Sequence, residues 1–313
     1  MPKRDIMREE RLEETICESL QSSGWIYEPG MKDTGWNARL GLFPADVLHW
    51  LSTQYPEDYA KAVPQDAPES TRKNAQRLLL EYVAKRLESA TRKDAQTGRI
   101  RGGLLGTLRE GFKYAQTNAR SATFGPMVAF PPANPLSVSA AKRAENNRLR
   151  IIRQVHFDTA SGETLDLVAT INGIPVATFE LKTDNTQSVT QAMKQYREDR
   201  VPSKNRRVLL PGRALVHFAV SNDEVYMTTA LHGNDTRFLP FNQGHDGAGG
   251  NPPVEDKSAT SYLWEQVLQP RLLLRILSDF AVWEPNSKSK RGAQGNLIFP
   301  RFHQLRAVEK VTT

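Results

Sequence analysis

Residues 165–182 read LDLVATINGIPVATFELK, and this stretch decides the fold. On both sides of Asn172-Gly173 the chain is rich in Val, Ile, Leu, Phe and Thr, residues that suit a pleated, half-buried surface. Asn-Gly between two such runs is a strong hairpin signal, because both residues tolerate positive φ. Strands are therefore expected over 164–171 and 175–182. Three charges sit uneasily in them: Asp166 between Leu165 and Leu167, and Glu180 and Lys182 alternating with Phe179 and Leu181. Burying a carboxylate or an ammonium is costly unless it is paired or binds a metal.

Register decides whether these charges meet. A strict two-residue Asn-Gly turn pairs Ile171 with Ile174 and Asp166 with Phe179, sending Asp166 to the face opposite Glu180. A three-residue loop pairs Thr170 with Ile174 and Asp166 with Thr178, one diagonal step from Glu180 on the same face. A site shared by Asp166 and Glu180 thus requires an odd loop with Gly173 left-handed, or a bulge.

Two strand carboxylates and a lysine on one face are what metal-dependent phosphodiester hydrolysis needs. Asp166 and Glu180 supply hard oxygen ligands for Mg²⁺, and the backbone carbonyl of Leu181 is a further candidate ligand. The metal neutralises charge on the phosphate and lowers the pKa of the attacking water, which Lys182 would position. The bland alternative is a strand-end ion pair on a wet sheet face. Glu255-Asp256-Lys257 repeats the Glu-x-Lys pattern, but in a Gly/Pro-rich loop with no strand to hold it.

Outward from the hairpin, strands are expected over 150–158, 214–220 and 224–230. Between them a helix over about 187–199 has Val189, Ala192, Met193 and Tyr196 on one face. Upstream, helices are expected over 8–24, with Leu12, Ile16 and Leu20 at spacing four, and over 45–62, 70–90 and 104–116. In the third of these, Leu78, Leu79, Tyr82, Val83 and Leu87 form the apolar stripe. Phe130-Pro-Pro-Ala-Asn-Pro135 marks a break, and two helices follow near 260–282. The fold class is α/β, a central mixed β-sheet flanked by helices.

The totals narrow the functional classes. In 313 residues, 39% hydrophobic and 25% charged, no run of about 18 apolar residues occurs, so a globular chain without a membrane span is expected. The single cysteine, Cys17, excludes an internal disulfide and a cysteine-based zinc cluster. With no signal-peptide core near the N-terminus, a cytoplasmic location is expected. The net charge of +7 is concentrated: Thr97 to Arg153 holds ten Lys or Arg against Glu110 and Glu145. Such a block suits a surface that tracks phosphates, or is an ordinary solvated face. Trp264 and Tyr262 read as packing residues, and His156 and His217 as core or near-core residues.

LDLVATINGIPVATFELK resembles the core of PD-(D/E)xK nucleases, and more narrowly the N-terminal nuclease domain of type I restriction endonuclease R (motor) subunits. NRLRIIRQVHF (147–157), QYREDR (195–200), LVHFAVSNDEVYMTTAL (215–231), FLPFNQG (238–244) and TSYLWEQVLQP (260–270) resemble the same family. The resemblance implies a PD-(D/E)xK core with Asp166, Glu180 and Lys182 as the catalytic set and Mg²⁺ as cofactor. It implies a Gln/Tyr-bearing helix after the lysine, here Gln191 or Gln195 with Tyr196; the usual Gln-x-x-x-Tyr spacing is not kept. It also implies a first-helix glutamate completing the metal site, Glu13, with Glu14 adjacent. Lys194, Arg197 and Arg200 would track the DNA backbone or form a solvated helix face.

NLIFPRFHQLRAVEK (296–310) resembles the segment that precedes the ATPase motor, where Gln304 would recognise adenine. No G-x-x-x-x-G-K-[ST] loop follows, so ATP belongs only to a full-length subunit. Expected domains are a nuclease over 1–260, with a helical insertion at 30–118, and a helical linker with the start of a truncated motor over 261–313. The expected partners are double-stranded DNA and the modification and specificity subunits. Two alternatives stand beside this reading: a catalytically silent DNA-binding module that docks the motor to the methyltransferase core, and a stand-alone DNA nuclease.

Overall fold

The computed structural model describes residues 3–29, 35–115, 121–132, 137–183, 188–285 and 295–312. The turn expected at 130–135 and the approach to the helix near 187 lie partly outside the described residues.

The Val/Ile/Phe-rich runs pair into one six-stranded sheet. Its strands are β1 (Leu149–His156), β2 (Thr164–Ile171), β3 (Ile174–Leu181), β4 (Val216–Val220), β5 (Val225–Thr228) and β6 (Leu239–Pro240). The order is β6-β5-β4-β3-β2-β1; β3 and β4 run parallel and the other neighbours antiparallel, so the sheet is mixed. A parallel pair needs a crossover. Here it contains a helix, Val189–Glu198, whose Val189, Ala192 and Tyr196 are buried on the sheet with Val168 and Ala219.

The opposite face is covered by helix α1 (Lys3–Ser22), with Leu12, Ile16, Cys17 and Leu20 buried, and by residues 262–281. Trp25 Nε1 donates to the Leu268 carbonyl at 3.0 Å, and the Tyr262 hydroxyl to the Phe241 carbonyl at 2.9 Å. Residues 261–281 therefore share one core with the sheet.

Residues 35–115 hold helices α2 (Pro44–Gln54), α3 (Pro56–Ala62), α4 (Glu69–Leu87) and α5 (Gly103–Glu110). The single helix expected over 45–62 is two helices because Pro56 cannot donate to the preceding turn and starts the second one. The helix expected over 104–116 stops at Gly111, whose φ of 75° only glycine adopts readily; Phe112–Tyr114 then pairs with Ala122–Phe124. In α4 the buried stripe is Leu79, Leu80, Val83, Ala84 and Leu87, while Leu78 is left exposed. Arg213, fully buried before β4, ties this region to the sheet: it donates to the carbonyls of Ala84 (2.8 Å), Gly41 (3.0 Å) and Leu40.

The hairpin differs from the three-residue loop. Asn172 (φ 49°) and Gly173 (φ 78°) make a two-residue turn with Ile171 opposite Ile174. Gly173 is required twice over: a Cβ there would stand 2.3 Å from the Phe43 carbonyl oxygen. Thr170 then faces Pro175 but Ala169 faces Ala177, so Val176 is the extra residue of a bulge. Beyond it the register reads Val168–Thr178 and Leu167–Phe179, and one further step sets Asp166 opposite Glu180. The turn is even, and the bulge restores the shared face.

The basic block is not one surface. Arg148 and Arg150 both bond Asp46, each at 2.7 Å, and Arg109 donates to the Leu277 and Ala281 carbonyls at 2.7 Å. Arg153 turns inward to α1, and Arg99 lies 3.6 Å from Glu110. Much of the charge that suggested a phosphate track cross-braces the fold instead. Among the described residues, no helix is long and apolar enough to cross a membrane.

Candidate active site

Past the bulge, β3 sorts its side chains by parity. Ala177, Phe179 and Leu181 enter the larger core, while Thr178, Glu180 and Lys182 alternate to the other side. Glu180 is fully buried and Lys182 nearly so. Asp166 is partly exposed, and its Oδ2 accepts the Leu181 N–H at 2.6 Å. Leu181 thus serves the site through its amide, with its side chain in the core.

Helix α1 closes the site from outside. Glu9 and Glu13, one turn apart, point the same way. Glu9 meets Lys182 Nζ at 3.3 Å. Glu13, 2% exposed, accepts from Arg153 Nε at 3.0 Å and from Gln154 Nε2 at 2.7 Å. Glu14 lies outward on Arg153 and the Tyr27 hydroxyl. Gln154 holds a left-handed φ of 48°, uncommon for a residue with a side chain, and also bonds Thr164 Oγ1 at 2.9 Å.

Glu180 carries the most informative asymmetry. Its Oε1 accepts from Arg200 Nε at 2.7 Å, while its Oε2 is buried with no hydrogen-bond partner among the described residues. Burial and the neighbouring Asp166 push the Glu180 carboxyl well above its usual range. Asp166 is raised by its enclosure, partly offset by Lys182. Glu13 rises to about 7 through burial and then the charge of Asp166. Burial makes all three carboxyls harder to ionise than solvated ones, and the charge of Asp166 adds to this at Glu180 and Glu13.

This has a pH signature. A carboxyl whose folded pKa is raised contributes stability that is fully present below its unfolded pKa and is lost as pH rises through the folded value. In the absence of divalent cations the melting temperature should therefore fall between pH 5 and 8, with Glu13 titrating near 7. Glu13→Gln should flatten that slope. Thermal unfolding across this range checks it, and a flat profile for the parent chain would refute the electrostatic picture.

The other sequence candidates fall out as follows. Tyr196 is fully buried; its hydroxyl lies 2.8 Å from Thr178 Oγ1, which is also 2.7 Å from His217 Nδ1. This trio forms a polar floor beneath Glu180. Burial drives His217 down to about 3, so it stays neutral. His156, expected near the core, is exposed. Gln191 is exposed and Gln195 half-buried; among the described residues no hydrogen bond joins either side chain to Asp166, Glu180 or Lys182. Lys194 is exposed near Glu198 (3.7 Å), and Arg197 donates to the Thr236 carbonyl at 3.2 Å.

Arg200 is not a surface residue, because its guanidinium is committed to Glu180. Gln304 Oε1 accepts the Arg301 N–H at 2.8 Å in the first turn of the last helix. Arg200, Glu9 and Gln154 are site residues that sequence reasoning did not find in these roles. A left-handed Gln154 leaves no sequence signal, and Arg200 read as one more charge on a helix face.

Among the described residues, no three His, Cys, Asp or Glu side chains converge as a ready metal cage. A dedicated cage is not what Mg²⁺ uses: one or two carboxylates suffice, with waters and substrate phosphates completing the shell. Asp166 facing Glu180, with Oε2 orphaned, fits that donor set. No curated protein matches the chain. Residues 137–236, the segment holding the hairpin, the crossover helix, Asp166, Glu180, Lys182 and Arg200, match the family model described as type I restriction enzyme R protein N terminus (HSDR_N).

Proposed function

We propose that this chain is the DNA-cleaving domain of a type I restriction enzyme R subunit, a Mg²⁺-dependent endonuclease with a PD-(D/E)xK core. The observation that carries this reading is the bulge-shifted register, which sets Asp166 opposite Glu180 with Lys182 next on the same face. Asp166 and Glu180 Oε2 would hold the ion, with Glu13 adjacent and the Leu181 carbonyl a further ligand. When bound, Mg²⁺ supplies charge neutralisation at the phosphate and a more acidic water. Lys182, released from Glu9, would orient the attacking water; Tyr196 and Thr178 hold the floor below Glu180, and Gln191 or Gln195 would contact the substrate.

Lys194 and Arg197 would contact the DNA backbone, and phosphate contacts of this kind position without reading sequence. In a complete complex, modification and specificity subunits would read the target and an ATP-driven motor would deliver the DNA. Residues 261–313 would lead into that motor, with Gln304 toward its adenine site. The test is Lys182→Ala in the complete, reconstituted R subunit. Plasmid cleavage in Mg²⁺ should disappear while ATP hydrolysis continues.

A second reading has its own observation. Three of the four site charges already have an ionic protein partner: Glu180 with Arg200, Lys182 with Glu9, Glu13 with Arg153. A silent DNA-docking module would look like this, and cleavage that survives Lys182→Ala would favour it.

A further inference from the structure

Arg200 lies just past the crossover helix, its N–H held by the Gln195 carbonyl at 3.0 Å. Its side chain is 7% exposed and fully engaged. Nε goes to Glu180 Oε1 at 2.7 Å, one terminal nitrogen to Glu163 Oε1 at 3.2 Å, and the other to the Thr164 carbonyl at 2.9 Å. The guanidinium also lies 5.0 Å from the centre of the Phe157 ring. Thr164 is two residues before Asp166 on β2, whereas Glu180 is on β3. One planar group therefore spans the strands that carry the two facing carboxylates.

We infer that Arg200 is a positioning residue for Glu180: by holding Oε1 it fixes the carboxylate and leaves Oε2 as the single oxygen presented to a divalent cation beside Asp166. This rests on the metal-site reading given above. The argument is geometric. A carboxylate free to rotate offers either oxygen, or both. One oxygen pinned by a guanidinium, itself held at three other points, offers only the second. Outer contacts that orient a metal ligand typically change metal affinity 10–100-fold when removed. Lysine cannot replace this arrangement, because a single ammonium lacks the planar fork that reaches three acceptors.

Arg206 is a matched control. It shares Glu163 (2.7 Å) and the Phe157 ring (5.6 Å), is otherwise bound to Asp158 (2.7 Å) and the Asp199 carbonyl (2.5 Å), and makes no bond to Glu180 among the described residues. Arg200→Lys and Arg206→Lys should therefore lose stability alike and differ at the metal.

The experiment is calorimetric titration of the 313-residue chain with Mn²⁺, an oxygen-preferring probe of Mg²⁺ sites, alongside its melting temperature. Arg200→Lys should weaken Mn²⁺ binding by at least about tenfold, with Arg206→Lys within about twofold of the parent. A folded Arg200→Lys chain that binds Mn²⁺ like the parent overturns the positioning role, as does equal weakening by Arg206→Lys. Should Arg200→Lys fail to fold, Glu163→Ala removes one anchor and leaves the contact with Glu180. It should weaken binding roughly two- to fivefold, less than outright loss of the contact, and no change would overturn the role. A parent chain that binds no Mn²⁺ at millimolar concentration overturns the metal site itself, and the role of Arg200 with it.

Discussion

Asp166→Asn should abolish DNA cleavage by the reconstituted complex, a loss of at least about two orders of magnitude, while leaving the fold as stable at neutral pH as the parent or more so. The amide still offers an oxygen to the Leu181 N–H, so the hydrogen bond at 2.6 Å has a successor. The charge is what disappears, and in the absence of a cation that charge is unfavourable. It raises both Glu13 and Glu180, and Asp166 is itself raised by its enclosure. Charges that cost stability are commonly found where function requires them. Urea unfolding beside plasmid cleavage reads both quantities. A loss of several kcal/mol would instead make Asp166 a member of a structural ion cluster, where removing one partner leaves others uncompensated.

The largest effect on stability is expected away from the site, at Arg213. Replacing it by Met should cost about 3–5 kcal/mol, because a guanidinium with no exposure is the common donor to three carbonyls. Those carbonyls, of Leu40, Gly41 and Ala84, belong to the turn before α2 and to the end of α4. Without Arg213 they face an apolar wall, and the inserted region loses its tie to the start of β4. Arg213→Lys should recover only part of the loss, since one ammonium cannot reach all three acceptors in the same geometry. The midpoint of urea unfolding measures this, and a shift worth under about 1 kcal/mol would show that water replaces the lost donors.

How much of this was legible follows from which interactions are local. The hairpin, the crossover helix and the mixed sheet were readable because strand and helix periods are written into adjacent residues. Asn172-Gly173 announced its own turn. The bulge at Val176 did not: nothing in IPVAT marks it, and it emerges only when both faces of the hairpin must be buried in different cores. The requirement for a bulge was nonetheless derivable, because Asp166 and Glu180 could not otherwise share a face.

Long-range pairings were invisible. Arg148, Arg150 and Arg153 look like a basic stripe in sequence, yet they are spent on Asp46, Glu13 and Glu14, more than a hundred residues away in the chain. Arg200 has the sequence signature of either a DNA contact or a solvated helix face, and the fold instead buries it against Glu180. In each case a charge whose partner is distant carries the same local signature as a solvated one.

The measurement closest to the central claim uses Lys182→Ala in the complete R subunit, assembled with its partner subunits and supplied with Mg²⁺ and ATP. ATP hydrolysis and plasmid cleavage are followed in the same reaction. If hydrolysis continues at the parent rate and cleavage falls by at least about a hundredfold, Lys182 acts at the cutting site beside Asp166 and Glu180. If both continue unchanged, the ammonium is a structural partner of Glu9, and this domain holds DNA without cutting it.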